Sequence, residues 1–206
     1  MTRQINLYSF GNRDRSGKVR WTACELGYTV DEHRLELGEQ VQDAYGAFNP
    51  YRQIPAVQID GEVMIESTAI CINLAEKHPE YGLIPPPGDP ARPVFWQHVG
   101  VATQTLELPA VNFLLSKAGI VDAAWGPLLE KSLRSRMATF AVNVPGDGWW
   151  LGEQFTLADI FAAYVLRIAV GGGLVEYKGA LKGWFERIMT RPAAQQAGFF
   201  DGFIES

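Results

Sequence analysis

Two stretches of this chain combine residue types that could hold a small acidic ligand: Asn49-Pro50-Tyr51-Arg52-Gln53-Ile54-Pro55-Ala56-Val57 and, eleven residues after Pro55, Glu66-Ser67-Thr68-Ala69-Ile70. Pro55 has no N–H to give a sheet ladder. It must therefore start the run Ala56-Val57-Gln58-Ile59 or sit in a special turn, for which a cis bond is one solution. Ile54 then keeps its backbone for another partner. Asp60-Gly61 is a two-residue hairpin signal, and Glu62-Val63-Met64-Ile65 returns the chain to Glu66-Ser67. Ser67 stands where a helix should begin, since Ile70, Ile72, Leu74 and Ala75 follow at helical spacing. A helix start leaves N–H groups unpaired and carries the positive end of the helix dipole, both suited to a carboxylate. Beside an open strand edge, that makes a slot for a short acidic peptide.

The elements that would position these residues follow from the pattern. Ile5 to Phe10 reads as a first strand, Gly11 to Arg15 as a polar loop, and Ser16 to Leu26 as a helix closed by Gly27. Tyr28 to Leu35 reads as a second strand, and Gly38 to Phe48 as a short, irregular helix. After the hairpin and a helix from Ser67 to His78, the prolines from Pro79 to Pro93 forbid a continuous helix and stiffen the chain. The predicted organisation is an α/β domain over 1–84, a proline-rich linker over 85–92 and an all-α domain over 93–206. In the last, helical patterns cover Pro93 to Ala118, with a kink at Pro109, then Trp125 to Val142, Thr156 to Val170 and Leu181 to Met189.

The 206 residues are 47% hydrophobic and carry a net charge of −5, with enough apolar material for either one large core or two modest ones. No basic run could neutralise phosphates, so nucleic acid is not an expected partner. Neither a signal-peptide core nor a bilayer-spanning apolar run is visible, so no membrane association is expected and a cytoplasmic location is. Cys24 and Cys71 lack C-x-x-C spacing, which supports neither dithiol exchange nor a zinc site, and no metal is expected. Both read as buried, inert thiols.

Gln53-Ile54-Pro55-Ala56-Val57 followed by Glu66-Ser67 and a helix resembles the glutathione-binding half of the glutathione transferase superfamily. Phe155-Thr156-Leu157-Ala158-Asp159-Ile160 resembles the helix-start motif of that family's second domain. Thr156 would be the N-cap, Asp159 its reciprocal partner, and Phe155 with Ile160 the hydrophobic staple. The resemblance implies a thioredoxin-like first domain, an all-α second domain, a homodimer, and glutathione as co-substrate. Ser67 would hold the γ-glutamyl carboxylate and Glu66 would balance the adjacent ammonium. Ile54, held open by Pro55, would exchange backbone hydrogen bonds with the cysteinyl unit. Gln53 and Gln40 would lie near the glycyl end, with solvated surface residues as the alternative reading for both.

Catalysis in this family needs a group that stabilises the glutathione thiolate, because a thiol with pKa near 8.5 is only a few per cent ionised at neutral pH. Many bacterial, insect and plant members place a serine five residues beyond the tyrosine that ends the first strand; here that position is Arg13. Asn12, Arg13 and Ser16 are the remaining polar candidates. The run Leu7-Tyr8-Ser9-Phe10-Gly11, with Ser16 and Lys18, is similar to bacterial glutathione-dependent β-etherases, in which a serine at the place of Ser16 approaches the thiol. Ser16 also fits as a simple N-cap and Arg13 as a solvated ion-pair member; Tyr8 fits as core, or as the thiol-contacting tyrosine of animal members if the loop holds a one-residue insertion. The activity implied is thiolate attack on a hydrophobic electrophile bound between the domains. Ether cleavage (a β-etherase or lyase), isomerisation through a transient adduct, and a non-catalytic binding module are the alternatives.

Overall fold

The computed structural model describes residues 3–11, 14–121 and 127–203. Four strands form one mixed sheet in the order β2-β1-β3-β4. β1 (Gln4–Ser9) runs parallel to β2 (Thr29–Arg34) and antiparallel to β3 (Ala56–Ile59), which pairs antiparallel with β4 (Glu62–Ile65). Period-two alternation sets the faces, burying Ile5 and Leu7 and exposing Gln4. Asp60 and Gly61 turn the hairpin with φ of 53° and 86°, the left-handed pair that a two-residue turn needs.

α1 (Ser16–Glu25) closes at Leu26, with Gly27 at φ 71° as its left-handed cap. The predicted irregular helix resolves into a 3₁₀ turn over Glu39–Val41 and a short α2 (Asp43–Phe48), separated by extended backbone at Gln42. α3 (Ser67–Glu76) packs on α1.

The described residues up to 84, together with 189–201, form one compact unit; those of 85–188, with 202 and 203, form the other. Residues 189–201 contain a short α9 (Pro192–Gln196) that packs on α1. There Arg191 donates to both carboxylate oxygens of Glu25 at 2.8 Å, and Trp21 packs its ring against Phe199 and Phe200 at 4.8 and 5.6 Å. The segment read as a linker falls in the second unit, where Arg92 already begins a helix.

The second unit is all helical: α4 (Arg92–Gly100), α5 (Leu108–Lys117), α6 (Pro127–Val142), α7 (Leu157–Gly171) and α8 (Gly179–Met189). Ahead of Pro109 the chain runs as a π-helix over Val101–Glu107 between α4 and α5. Proline lacks an N–H and its ring would strike the carbonyl four residues back, so widening the preceding turns relieves the conflict. α7 is apolar on every side and buried from Leu157 to Leu166, which makes it the core of this unit. Thr156 and Asp159 form the predicted capping box at its start.

Candidate functional site

Strand directions bring three segments to one end of the sheet. Tyr8 near the end of β1 pairs with Ala56 at the start of β3, and Ala56 pairs with Ile65 at the end of β4. The exit of β1 into the Gly11 loop, the entry at Ile54-Pro55 and the start of α3 at Glu66-Ser67 therefore meet there. The Ile54-Pro55 bond is cis. Ahead of it, the carbonyl of Gln53 accepts from Asn49 Nδ2 at 2.7 Å and from the Tyr45 hydroxyl at 2.9 Å. Ile54 packs its side chain in a small core with Tyr45 and Ala56, against Tyr8 and Phe48. Its own N–H and C=O make no hydrogen bond among the described residues.

Glu66 sits at φ 68° and ψ 103° with its carboxylate exposed. A non-glycine residue holds such a conformation only where its surroundings impose it, a form of strain that clusters at functional sites. Ser67, the first residue of α3, is 5% exposed, and among the described residues its hydroxyl has no protein partner. Ile70 is bonded back to the carbonyl of Glu66 at 2.9 Å, so the N–H groups of Ser67, Thr68 and Ala69 have no helical acceptor. Ile54, Pro55, Glu66 and Ser67 thus share one end of the sheet. Gln53 precedes them, exposed. Gln40 lies in the 3₁₀ turn, its Oε1 taken by the N–H of Gly38 at 2.8 Å.

Asn12 and Arg13 lie outside the described residues. Ser16 is fully buried, and its hydroxyl donates to the carbonyl of Gly11 at 3.0 Å. Its proton is committed to the protein in this arrangement. Nor does Ser16 cap α1: that role falls to Asp14, which accepts the N–H of Ser16 on one oxygen and that of Phe10, at 2.6 Å, on the other. Burial pushes the Asp14 carboxyl above its usual range, against the lowering effect of those hydrogen bonds. Tyr8 packs as core, stacked on His33 at 4.9 Å and tilted on Phe48 at 4.4 Å. Cys24 is partly buried, and desolvation pushes its thiol up to about 11.

Residues 14–88 match the glutathione S-transferase N-terminal domain and 127–192 the glutathione S-transferase C-terminal domain. The chain belongs to the glutathione S-transferase family. Maleylacetoacetate isomerase of Pseudomonas aeruginosa is 28% identical over 94% of this chain and 93% of its own. LigF of Sphingobium sp. is 38% identical, over 42% of this chain and 34% of its own. Among solved structures, the glutathione transferase URE2P6 of Phanerochaete chrysosporium, a complex with oxidized glutathione, superposes with a TM-score of 0.79 at 18% identity, over 95% of this chain and 94% of that one. The fold is accordingly the glutathione transferase fold, and the function is of the glutathione-dependent kind, with glutathione as co-substrate.

Within this family member the sequence left two features unread. Beneath the loop after β1 lies a cluster of buried Ser9, Gly11, Ser16 and Arg20 with half-buried Glu32. Arg20 falls in the apolar run of α1 and Glu32 in the polar run Asp31-Glu32-His33-Arg34, so neither advertises burial. The available signal was the period of β2, which puts Glu32 on the same face as Val30. The second feature is a cavity of about 630 Å³ in the helical unit, lined by His98, Val101 and Leu106 opposite Arg136, Phe140 and Trp150. Phe95 and Phe113 lie in the buried core.

Proposed function

We propose that this chain is a glutathione transferase that binds the tripeptide along Ile54 and the start of α3 and activates its thiol for attack on a hydrophobic electrophile. The observation that carries the reading is the pair of unfilled hydrogen-bonding sets at one sheet end: the N–H and C=O of Ile54, and the Ser67 hydroxyl with the first N–H groups of α3. The first set matches an extended peptide unit and the second a carboxylate, the two features that flank the cysteine of glutathione. Glu66 supplies the negative charge for the adjacent ammonium, and Gln53 and Gln40 the polar groups toward the glycyl end. Similarity to a maleylacetoacetate isomerase and to LigF makes isomerisation through a transient adduct and β-ether cleavage the neighbouring activities to assay. The homodimer rests on the family likeness and the cytoplasmic location on the sequence reading; sedimentation tests the first and cell fractionation the second.

The test is a glutathione titration of the purified protein followed by thiolate absorbance of the complex against pH. Binding with the thiol pKa lowered by about one to two units supports an enzyme. Binding with an unshifted thiol identifies a non-catalytic module, and no binding refutes the site.

A further inference from the structure

The N–H and C=O of Ile54 are the parts of the slot that must meet a peptide backbone, and the chain just ahead of them fixes which way the N–H faces. That N–H belongs to the same planar unit as the carbonyl of Gln53. The Gln53–Ile54 bond is trans, so the two groups point in opposite directions and turn together. Two side chains grip the carbonyl, Asn49 Nδ2 at 2.7 Å and the Tyr45 hydroxyl at 2.9 Å. Neither is a solvated surface group: Asn49 is 1% exposed and Tyr45 7%. Both are themselves held. Asn49 Oδ1 accepts the N–H of Tyr51 at 3.0 Å, its backbone N–H donates to the carbonyl of Tyr45 at 2.7 Å, and its carbonyl accepts the N–H of Arg52 at 2.9 Å. Those partners also fix the orientation of the Asn49 amide, because Oδ1 faces a donor and Nδ2 an acceptor. The Tyr45 side chain packs with that of Ile54 in the small core. Pinned through its carbonyl, the Gln53–Ile54 unit presents its N–H on the opposite side, where no acceptor among the described residues meets it.

We propose that Asn49 and Tyr45 are positioning residues for glutathione: by fixing the Gln53 carbonyl they aim the Ile54 N–H at the carbonyl of the cysteinyl unit. The proposal rests on the reading of that slot as the glutathione site. Two hydrogen bonds to the oxygen of an amide also polarise it, which strengthens the donor on its other side. Without them the peptide plane gains freedom, and binding must order it again. Asn49 and Tyr45 act on the peptide unit and not on the thiol. Their loss therefore weakens binding of the tripeptide backbone and leaves the ionisation of the bound thiol alone. A residue that only stabilised the fold would change neither in the folded fraction.

The experiment compares wild type with Tyr45→Phe, which removes only the hydroxyl, and Asn49→Asp, which keeps an acceptor for the Tyr51 N–H but loses the donor. Calorimetry measures affinity for glutathione and for S-methylglutathione, thiolate absorbance the bound thiol pKa, and circular dichroism the folding. Amide NMR follows the Ile54 proton with and without glutathione. Binding should weaken about two- to fourfold in Tyr45→Phe and about tenfold in Asn49→Asp, by the same factor for both ligands, with the bound thiol pKa as in wild type. The Ile54 amide proton should move downfield on binding in wild type, and less in the variants. Wild-type affinity in folded Asn49→Asp overturns the proposal, as does a loss seen with glutathione and absent with S-methylglutathione. If Asn49→Asp does not fold, unchanged affinity in Tyr45→Phe overturns it. Failure of the underlying site is distinguishable, because wild type would then not bind, or would bind without moving the Ile54 amide, and the proposal falls with it.

Discussion

Asp159→Ala should cost far more than the loss of an ordinary helix cap. The carboxylate is fully buried and holds two parts of the chain: one oxygen accepts the Thr156 N–H at 2.9 Å and the Thr156 hydroxyl at 3.3 Å, the other the Trp150 N–H at 2.9 Å. Alanine strands both backbone donors. Thr156 is 1% exposed, so its N–H bears the cost of an unmet buried donor, about 1–3 kcal/mol, and the partly exposed Trp150 N–H adds up to about 1 kcal/mol. The sum is about 1–4 kcal/mol, or a melting temperature lower by about 2–16 °C for a chain of this size. Thr156→Ala removes a long 3.3 Å cap to the Ala158 N–H and the 3.3 Å hydroxyl bond to Asp159, leaves both backbone donors matched, and should cost about 0.5–1 kcal/mol. Urea unfolding followed by both tryptophan fluorescence and circular dichroism measures the two, and coincident transitions license the comparison. Asp159→Ala costing no more than Thr156→Ala would refute the view that one carboxylate ties the Trp150 loop to α7. Glutathione affinity per folded molecule should be unchanged in both.

Ser67→Ala should weaken glutathione binding by about 1–2 kcal/mol, or about 5- to 30-fold by calorimetry, because it removes a hydroxyl that has no partner among the described residues. Unchanged affinity in the folded variant removes Ser67 from the site. The Cys24 thiol, at about 11, is ionised in about one molecule in a thousand at pH 8. Its alkylation by iodoacetamide should be far slower in native protein than in urea; equal rates would contradict the burial. Burial alone would raise the Glu32 carboxyl, but hydrogen bonds from Ser9 and Arg20 and the charges of Arg20 and Arg34 outweigh it and hold it below its ordinary 4.5. Its contribution is therefore full above that value and is lost as pH falls through the lowered one. The stability gap between wild type and Glu32→Gln should narrow on acidification; a gap that widens reverses the sign of the shift.

What could be read from the sequence was local. Asp60-Gly61, Gly27 and the Thr156/Asp159 pair each satisfy a backbone need within a few residues, and the structure has them as read. Ile54-Pro55 and Glu66-Ser67 were legible for the same reason, since proline at a strand entry and serine at a helix start act through their immediate neighbours. The Arg20–Glu32 pair was not, because it depends on β1 and β2 lying side by side, which puts a residue of α1 against a residue of β2. Ser16 shows the limit from the other side: its position at a helix start was correct, but a buried arginine and the Gly11 carbonyl decide where its hydroxyl points. The π-helix escaped because Pro109 announces a conflict without saying whether a kink or a widened turn relieves it.

The return of residues 189–201 to the first unit has a consequence for synthesis. α1 carries Arg20 toward the site, and the same helix offers Trp21 and Glu25 to Phe199, Phe200 and Arg191. A ribosome therefore finishes the sheet and its three helices long before it makes the residues that cover the indole of Trp21. Until that closing segment emerges, the nascent first unit presents an uncovered aromatic surface and a Glu25 carboxylate without its arginine. The half of the protein that is encoded first is thus completed last, and a fragment ending at residue 84 is an unfinished object, not a small binding domain.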